Sequence, residues 1–148
     1  LSSDKFNAYG AKTQHEFDVI IDWLKEWGCT RTQGLGTKLP WDEQYVIESL
    51  SDSTIYMAYY AVHHLLSTSM DGQTVGPLGV KAEELTGECW DYIFRKGAVP
   101  ANSSIPLEKL GKLRHEFEYW YPMDLRCSGK DLIRNHLTMC LYNHAAIW

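Results

Sequence analysis

The stretch Met123-Asp124-Leu125-Arg126-Cys127-Ser128-Gly129-Lys130-Asp131-Leu132, with the periodic run that continues to Ile147, carries the strongest fold signal in the chain. Met123 to Cys127 alternates as a short strand does, and Ser128-Gly129 reads as a tight turn. From Asp131 to Ile147 the residues Leu132, His136, Met139, Asn143 and Ala146 recur on one side of a helix. A similar unit precedes it: Thr54-Ile55-Tyr56-Met57 has strand propensity, and Ala58 to Leu66 has a helical pattern. Strands followed by helices predict an α/β chain with a parallel sheet, of which two strand–helix units are half of a doubly wound domain. Ligands in such sheets bind at the carboxyl ends of the strands, so the turns after Met57 and after Cys127 are the expected site.

The remaining segments are mostly helix and loop. Residues 1–10 are polar and read as frayed. Phe17, Ile20, Ile21, Leu24 and Trp27 recur at spacings of three and four, which predicts a helix over 12–27 with Gly28 as its stop. Cys29 to Asp42 reads as loop, punctuated by Gly34, Gly36 and Pro40, and so does Ser67 to Gly79. A short helix is expected over 82–94 and loop over 97–106, while Leu107 to Trp120 reads as helical in its first part, with Leu107, Leu110, Leu113 and Phe117 on one stripe and Pro122 as the break.

Composition limits the partners. The chain has 148 residues, enough for one domain with a sizeable core. Its formal net charge is −5 and no Lys/Arg run appears, which argues against a chain that grips a phosphate backbone over its whole surface. No apolar run approaches the length of a membrane span. Cys29, Cys89, Cys127 and Cys140 form no zinc-ribbon pattern and read as free thiols in a reducing compartment. The triplet Asn102-Ser103-Ser104 is then an accidental match to a glycosylation site. A first residue Leu1 and an abrupt stop at Trp148 suggest a segment of something longer.

The sharpest chemical constellation is Ser128-Gly129-Lys130-Asp131 with Asn135 and His136. Glycine at a strand-to-helix turn permits close backbone approach to a ligand, and a carboxylate there can accept hydrogen bonds from two vicinal ribose hydroxyls. The plainer reading makes Asp131 a stabiliser of a helix start and His136 a satisfied core histidine. Hydroxyls and aromatics between Trp41 and Tyr56 could line a pocket or simply form an aromatic core. His63 and His64 point about 100° apart on a helix and do not share a metal easily. No dinucleotide fingerprint, Walker loop or nucleophile elbow is present.

Three stretches together resemble the leucyl-tRNA synthetases of the eukaryotic and archaeal type. They are Cys29-Thr30-Arg31-Thr32-Gln33-Gly34-Leu35-Gly36-Thr37, the run Leu39-Pro40-Trp41-Asp42-Glu43-Gln44 through Ser51-Asp52-Ser53-Thr54-Ile55-Tyr56-Met57, and Tyr119-Trp120-Tyr121-Pro122-Met123-Asp124-Leu125 through Ser128-Gly129-Lys130-Asp131-Leu132 to Asn135-His136-Leu137. The resemblance covers most of residues 12–148, and the run 29–57 is its specific part. The Gly-Lys-Asp turn is shared by several class I synthetases.

The resemblance implies a fold: the second half of a Rossmann-like nucleotide-binding domain, after the editing insertion and before the Lys-Met-Ser-Lys-Ser loop. Residues 67–118 would be a helical insertion within it. Gly129, Asp131 and His136 match positions at ATP, and Ser53, Thr54, Tyr56 and again His136 match positions at leucine. The implied substrates are leucine, ATP with Mg2+, and tRNA(Leu), the last held through other domains, in a cytoplasmic enzyme with no membrane partner. Neither the His-Ile-Gly-His motif nor the Lys-Met-Ser-Lys-Ser loop occurs in the chain, so these residues alone are expected to be inactive. The rival expectation is a non-catalytic α/β binding or interaction module.

Overall fold

A computed structural model describes residues 6–24 and 26–148. In chain order the elements are α1 (Ala11–Trp23), β1 (Thr30–Arg31), β2 (Lys38–Leu39), β3 (Asp42–Ile47), α2 (Ser49–Asp52), α3 (Tyr56–Leu66), a 3-10 turn (Ala82–Glu84), α4 (Gly87–Phe94), α5 (Leu107–Trp120), a second 3-10 turn (Lys130–Leu132), a π-helical turn (Ile133–Leu137) and α6 (Thr138–Ile147). They form two compact units: Leu1–Ile55 with Cys127–Ala146, and Tyr56–Arg126 with Ile147–Trp148. The frayed start expected over 1–10 falls partly on residues 1–5, and Lys25 falls inside the helix expected over 12–27; both lie outside the described residues.

The first unit holds a three-stranded antiparallel sheet in the order β1-β3-β2. Thr30 pairs with Ile47 and Lys38 with Val46; the register then shifts so that Leu39 pairs with Asp42. Glu48 leaves β3 with only 7% of its surface exposed. A buried carboxylate is tolerable only when its oxygens are occupied. Here Oε2 accepts the Leu50 amide at 3.0 Å, capping α2, and Oε1 lies 3.6 Å from Arg31 Nη2 on β1. The π-helical turn packs against both α1 and α2. Buried apolar side chains are few in this unit: Phe17, Leu24, Ile133, Met139 and Cys140 among the described residues.

The parallel sheet expected at 54–57 and 123–127 is not what forms. Thr54 lies in the turn between α2 and α3, and its hydroxyl donates to Ser51 O at 2.8 Å. Such a bond to a carbonyl three residues back favours a helical turn over the strand that a β-branched residue suggests. Tyr56 and Met57 are the first turn of α3, because Ala58, Ala61, Val62 and Leu66 extend one buried helical stripe. Met123 to Cys127 joins no ladder among the described residues, and Leu125 is 61% exposed. Alternation cannot make a strand without a neighbour to take its amides and carbonyls. Conversely, β1 and β2 occupy the stretch 29–42 expected to be loop, and α1 ends at Trp23, ahead of the stop expected at Gly28.

The second unit owns the larger core. Ala58, Ala61, Val62 and Leu66 of α3, Cys89 and Ile93 of α4, and Leu110, Leu113 and Phe117 of α5 close one cluster with Val80 and Ile105. The stripe read on residues 107–120 is this face, except that Leu107 is 51% exposed. Phe117 extends the cluster into aromatics, with ring centroids 4.9 Å from Phe94 and 4.7 Å from Tyr121. Gly76 allows a close crossing: its amide donates to Leu66 O at 2.7 Å, and a Cβ there would meet Leu66 C at 2.5 Å. Glu84 accepts the Lys81 amide at 2.8 Å, a bond that holds its carboxyl below the ordinary glutamate range.

Leu113 is fully buried, so Leu113→Ala should cost about 2.7–5 kcal/mol in urea unfolding. Leu107→Ala on the same helix should stay within about 0.5 kcal/mol. Equal losses at the two positions would contradict the packing of α5.

Candidate functional site

The residues marked by sequence fall on three short segments. Gly129 is extended, with φ −66 and ψ 147, and its carbonyl accepts the Leu132 amide at 3.1 Å. That bond closes the 3-10 turn on which Asp131 sits. A Cβ at Gly129 would lie 2.6 Å from Asp131 Oδ1, so the carboxylate folds back over the space that glycine leaves open. Both residues are exposed.

His136 lies in the π-helical turn and is only 4% exposed. Among the described residues no protein group meets either of its ring nitrogens. The expectation of a satisfied core histidine is thus half right: the ring is buried and unpaired. The turn itself is held by Thr138 Oγ1, which donates to Ile133 O at 2.5 Å, and by the His136 amide, which donates to Asn135 Oδ1 at 2.6 Å. Single π turns inside helices recur at functional sites, because the extra residue redirects a side chain.

Ser53 is half-buried and Thr54 fully buried, both in the first unit. Thr54 Oγ1 also accepts from Asn143 Nδ2 at 2.6 Å, tying the turn after α2 to α6. Tyr56 belongs to the second unit, where it is 41% exposed with its ring 4.9 Å from that of Tyr60.

Two of the cavities among the described residues lie in the first unit. One of about 520 Å3 is a groove lined by Val19, Ile20, Trp23, Trp27, Arg134 and Asn135. The other, about 160 Å3, is lined by Leu24, Trp27, Ser51, Thr54, Met139 and Asn143 among others. Thr54 thus stands at the smaller cavity, while His136, Gly129 and Asp131 line neither. Sequence reasoning did not single out Asn143 or Trp27 as site residues. The available signal for Asn143 was a polar side chain on the inward stripe of the last helix, where burial is uncommon unless it is paired.

No family model matches the chain. Related proteins are plain. The cytoplasmic leucine–tRNA ligase of Pongo abelii is 55% identical over 138 residues, 93% of this chain and 12% of that protein. That of Saccharomyces cerevisiae is 51% identical over 95% of this chain and 13% of that protein. The leucine–tRNA ligase of Pyrococcus abyssi is 46% identical over 97% of this chain and 15% of that protein. The chain therefore spans between 12% and 15% of the length of these relatives. By sequence the chain is related over nearly its whole length to one segment of the leucine–tRNA ligases.

Proposed function

We propose that this chain is the part of a cytoplasmic leucine–tRNA ligase that holds the ribose of ATP and the side chain of leucine. Identity of 46% to 55% with leucine–tRNA ligases from three distant organisms carries the reading. In the reaction the leucine carboxylate attacks the α-phosphate of ATP in line, giving leucyl-adenylate and pyrophosphate. A hydroxyl of the tRNA(Leu) terminal ribose then takes the leucyl group and releases AMP. Positioning and charge stabilisation suffice for both steps, without a covalent nucleophile on the protein.

Gly129 and Asp131 are the ribose contacts in this reading. The exposed carboxylate folded over a glycine supports it, since both ribose hydroxyls could reach Asp131 without displacing a side chain. Ser53, Thr54 and Tyr56 face leucine. His136 serves the amino acid or the adenine, and its unpaired ring nitrogens are a reason to expect a ligand partner. Among the described residues no three His, Cys, Asp or Glu side chains cluster as a metal site needs; in this reading Mg2+ arrives on the ATP phosphates. Among the described residues, too, no helix is long and apolar enough to cross a membrane. The parallel Rossmann-like sheet belongs to the whole enzyme in this account, with residues 123–127 supplying a strand once neighbours are present, and residues 67–118 as a helical insertion beside it.

Asp131→Ala in the complete enzyme is the direct test. Bonds to a charged acceptor contribute roughly 1.5–3 kcal/mol each, so losing one or two should cost on the order of 10- to 10³-fold in leucine-dependent ATP–pyrophosphate exchange. The melting temperature should stay within a few degrees of the parent, with Asp131→Asn intermediate in rate. Lowered melting with unchanged exchange would mean that Asp131 only supports the helix start. The 148-residue chain alone should show no exchange, since both phosphate-handling motifs are absent from it; robust exchange by the purified chain would refute the division of labour.

A ligand role for His136 also has a consequence for stability. An unpaired buried ring costs about 1–3 kcal/mol. His136→Leu should therefore raise the urea midpoint of the isolated chain while lowering activity in the complete enzyme. A lower midpoint for the leucine variant would show that the ring contributes to packing instead.

A further inference from the structure

We infer that Asn143 is a positioning residue for leucine recognition, acting through the hydroxyl of Thr54. The inference rests on the reading of residues 53–56 as the leucine segment. Thr54 has one hydroxyl proton, and it is spent on Ser51 O at 2.8 Å. The side-chain amide of Asn143 donates to the same oxygen at 2.6 Å. With its proton and one lone pair both committed, the hydroxyl cannot rotate freely, and the Thr54 methyl is fixed with it. No exposure remains at Thr54 to let water replace either bond.

The consequence falls on the shape of the smaller cavity. Ser51, Thr54 and Asn143 line it together with the further polar groups of Glu26 and Tyr142, and Leu24, Trp27 and Met139 give it apolar surface. Of the residues assigned to leucine, only Thr54 lines this cavity of about 160 Å3. Hydrophobic pockets separate substrates that differ by a methylene or a branch point by only about 10- to 200-fold, so a wall atom held in one place matters to the outcome. Asn143 does not have to touch the substrate to do this. It lies 89 residues from Thr54 in sequence, and the bond between them makes the position of α6 part of the definition of the leucine segment.

The experiment uses the complete enzyme and leucine- or isoleucine-dependent ATP–pyrophosphate exchange, with Thr54→Val, Asn143→Ala, Asn143→Asp and the Thr54→Val/Asn143→Ala double variant. Asn143→Asp keeps the size of the side chain and removes the donor, so it reports on the bond even if Asn143→Ala does not fold. The expected result is a leucine KM raised roughly 3- to 10-fold by each single change, the range of one neutral hydrogen bond. The ATP KM should be unchanged, leucine-over-isoleucine discrimination should fall, and the double variant should be no worse than the poorer single one. A raised leucine KM for Thr54→Val with parental values for both Asn143 variants would overturn the role of Asn143 and leave the leucine segment standing. Parental leucine KM for Thr54→Val would overturn the segment assignment and this inference together. Equal rises in the KM of ATP and of leucine for Asn143→Asp would reduce Asn143 to a general support of α6 and also overturn it.

Discussion

Two hydrogen bonds of very long sequence range hold the last helix to the start of the chain. Asn143 donates to the buried hydroxyl of Thr54 at 2.6 Å, and Tyr142 donates to Ile21 O at 2.5 Å at the end of α1. The first unit depends on such ties because its apolar core is thin, five side chains among the described residues. Fixing long loops is entropically costly, and few buried methyl groups are available to offset that here. Directional bonds are also what such a core lacks: apolar contacts bring elements together without setting their register, while a donor and acceptor at 2.6 Å do. The second unit is the opposite case. Eleven buried side chains from α3, α4, α5 and the loops at Val80 and Ile105 form one cluster, and hydrogen bonds there only trim the ends.

This contrast explains what could be read from sequence. The helix that starts at Leu107 was legible because Leu110, Leu113 and Phe117 bury one face, although it runs on to Trp120 rather than filling only the first part of 107–120, and Leu107 is exposed. The helix after Gly129 was legible as helix, but not its 3-10 start or its π turn, which arise from the threonine-to-carbonyl bond at Thr138 and the local bond at Asn135. Strand readings failed for a different reason. Four or five residues of alternation state a propensity, and a strand exists only through its partner. Residues 123–127 have the alternation without a partner, while β1 and β2 hide among Gly34, Gly36 and Pro40 because antiparallel pairing with β3 supplies what their own two residues cannot.

The candidate site divides in the same way. Gly129 and Asp131 were visible as a glycine beside a carboxylate, and their contact follows from adjacency. His136 was visible as a histidine on a helix, but its lack of a partner among the described residues is a property of packing and could not be read from spacing. Asn143 was visible only as a polar residue in an apolar row; its partner lies in another segment, which no local pattern reports. Among the described residues the buried His136 ring has no partner and Asp131 is exposed, and the site proposed above is built on these two observations.

Hydrogen exchange on the complete enzyme, with and without a non-hydrolysable leucyl-adenylate analogue, bears most directly on the central claim that this chain contributes the ribose and leucine contacts. The account predicts slowed exchange of amides within 129–137 and 51–57 on binding, with residues 67–118 unaffected. Protection confined to other parts of the enzyme, with 129–137 exchanging at the ligand-free rate, would contradict it.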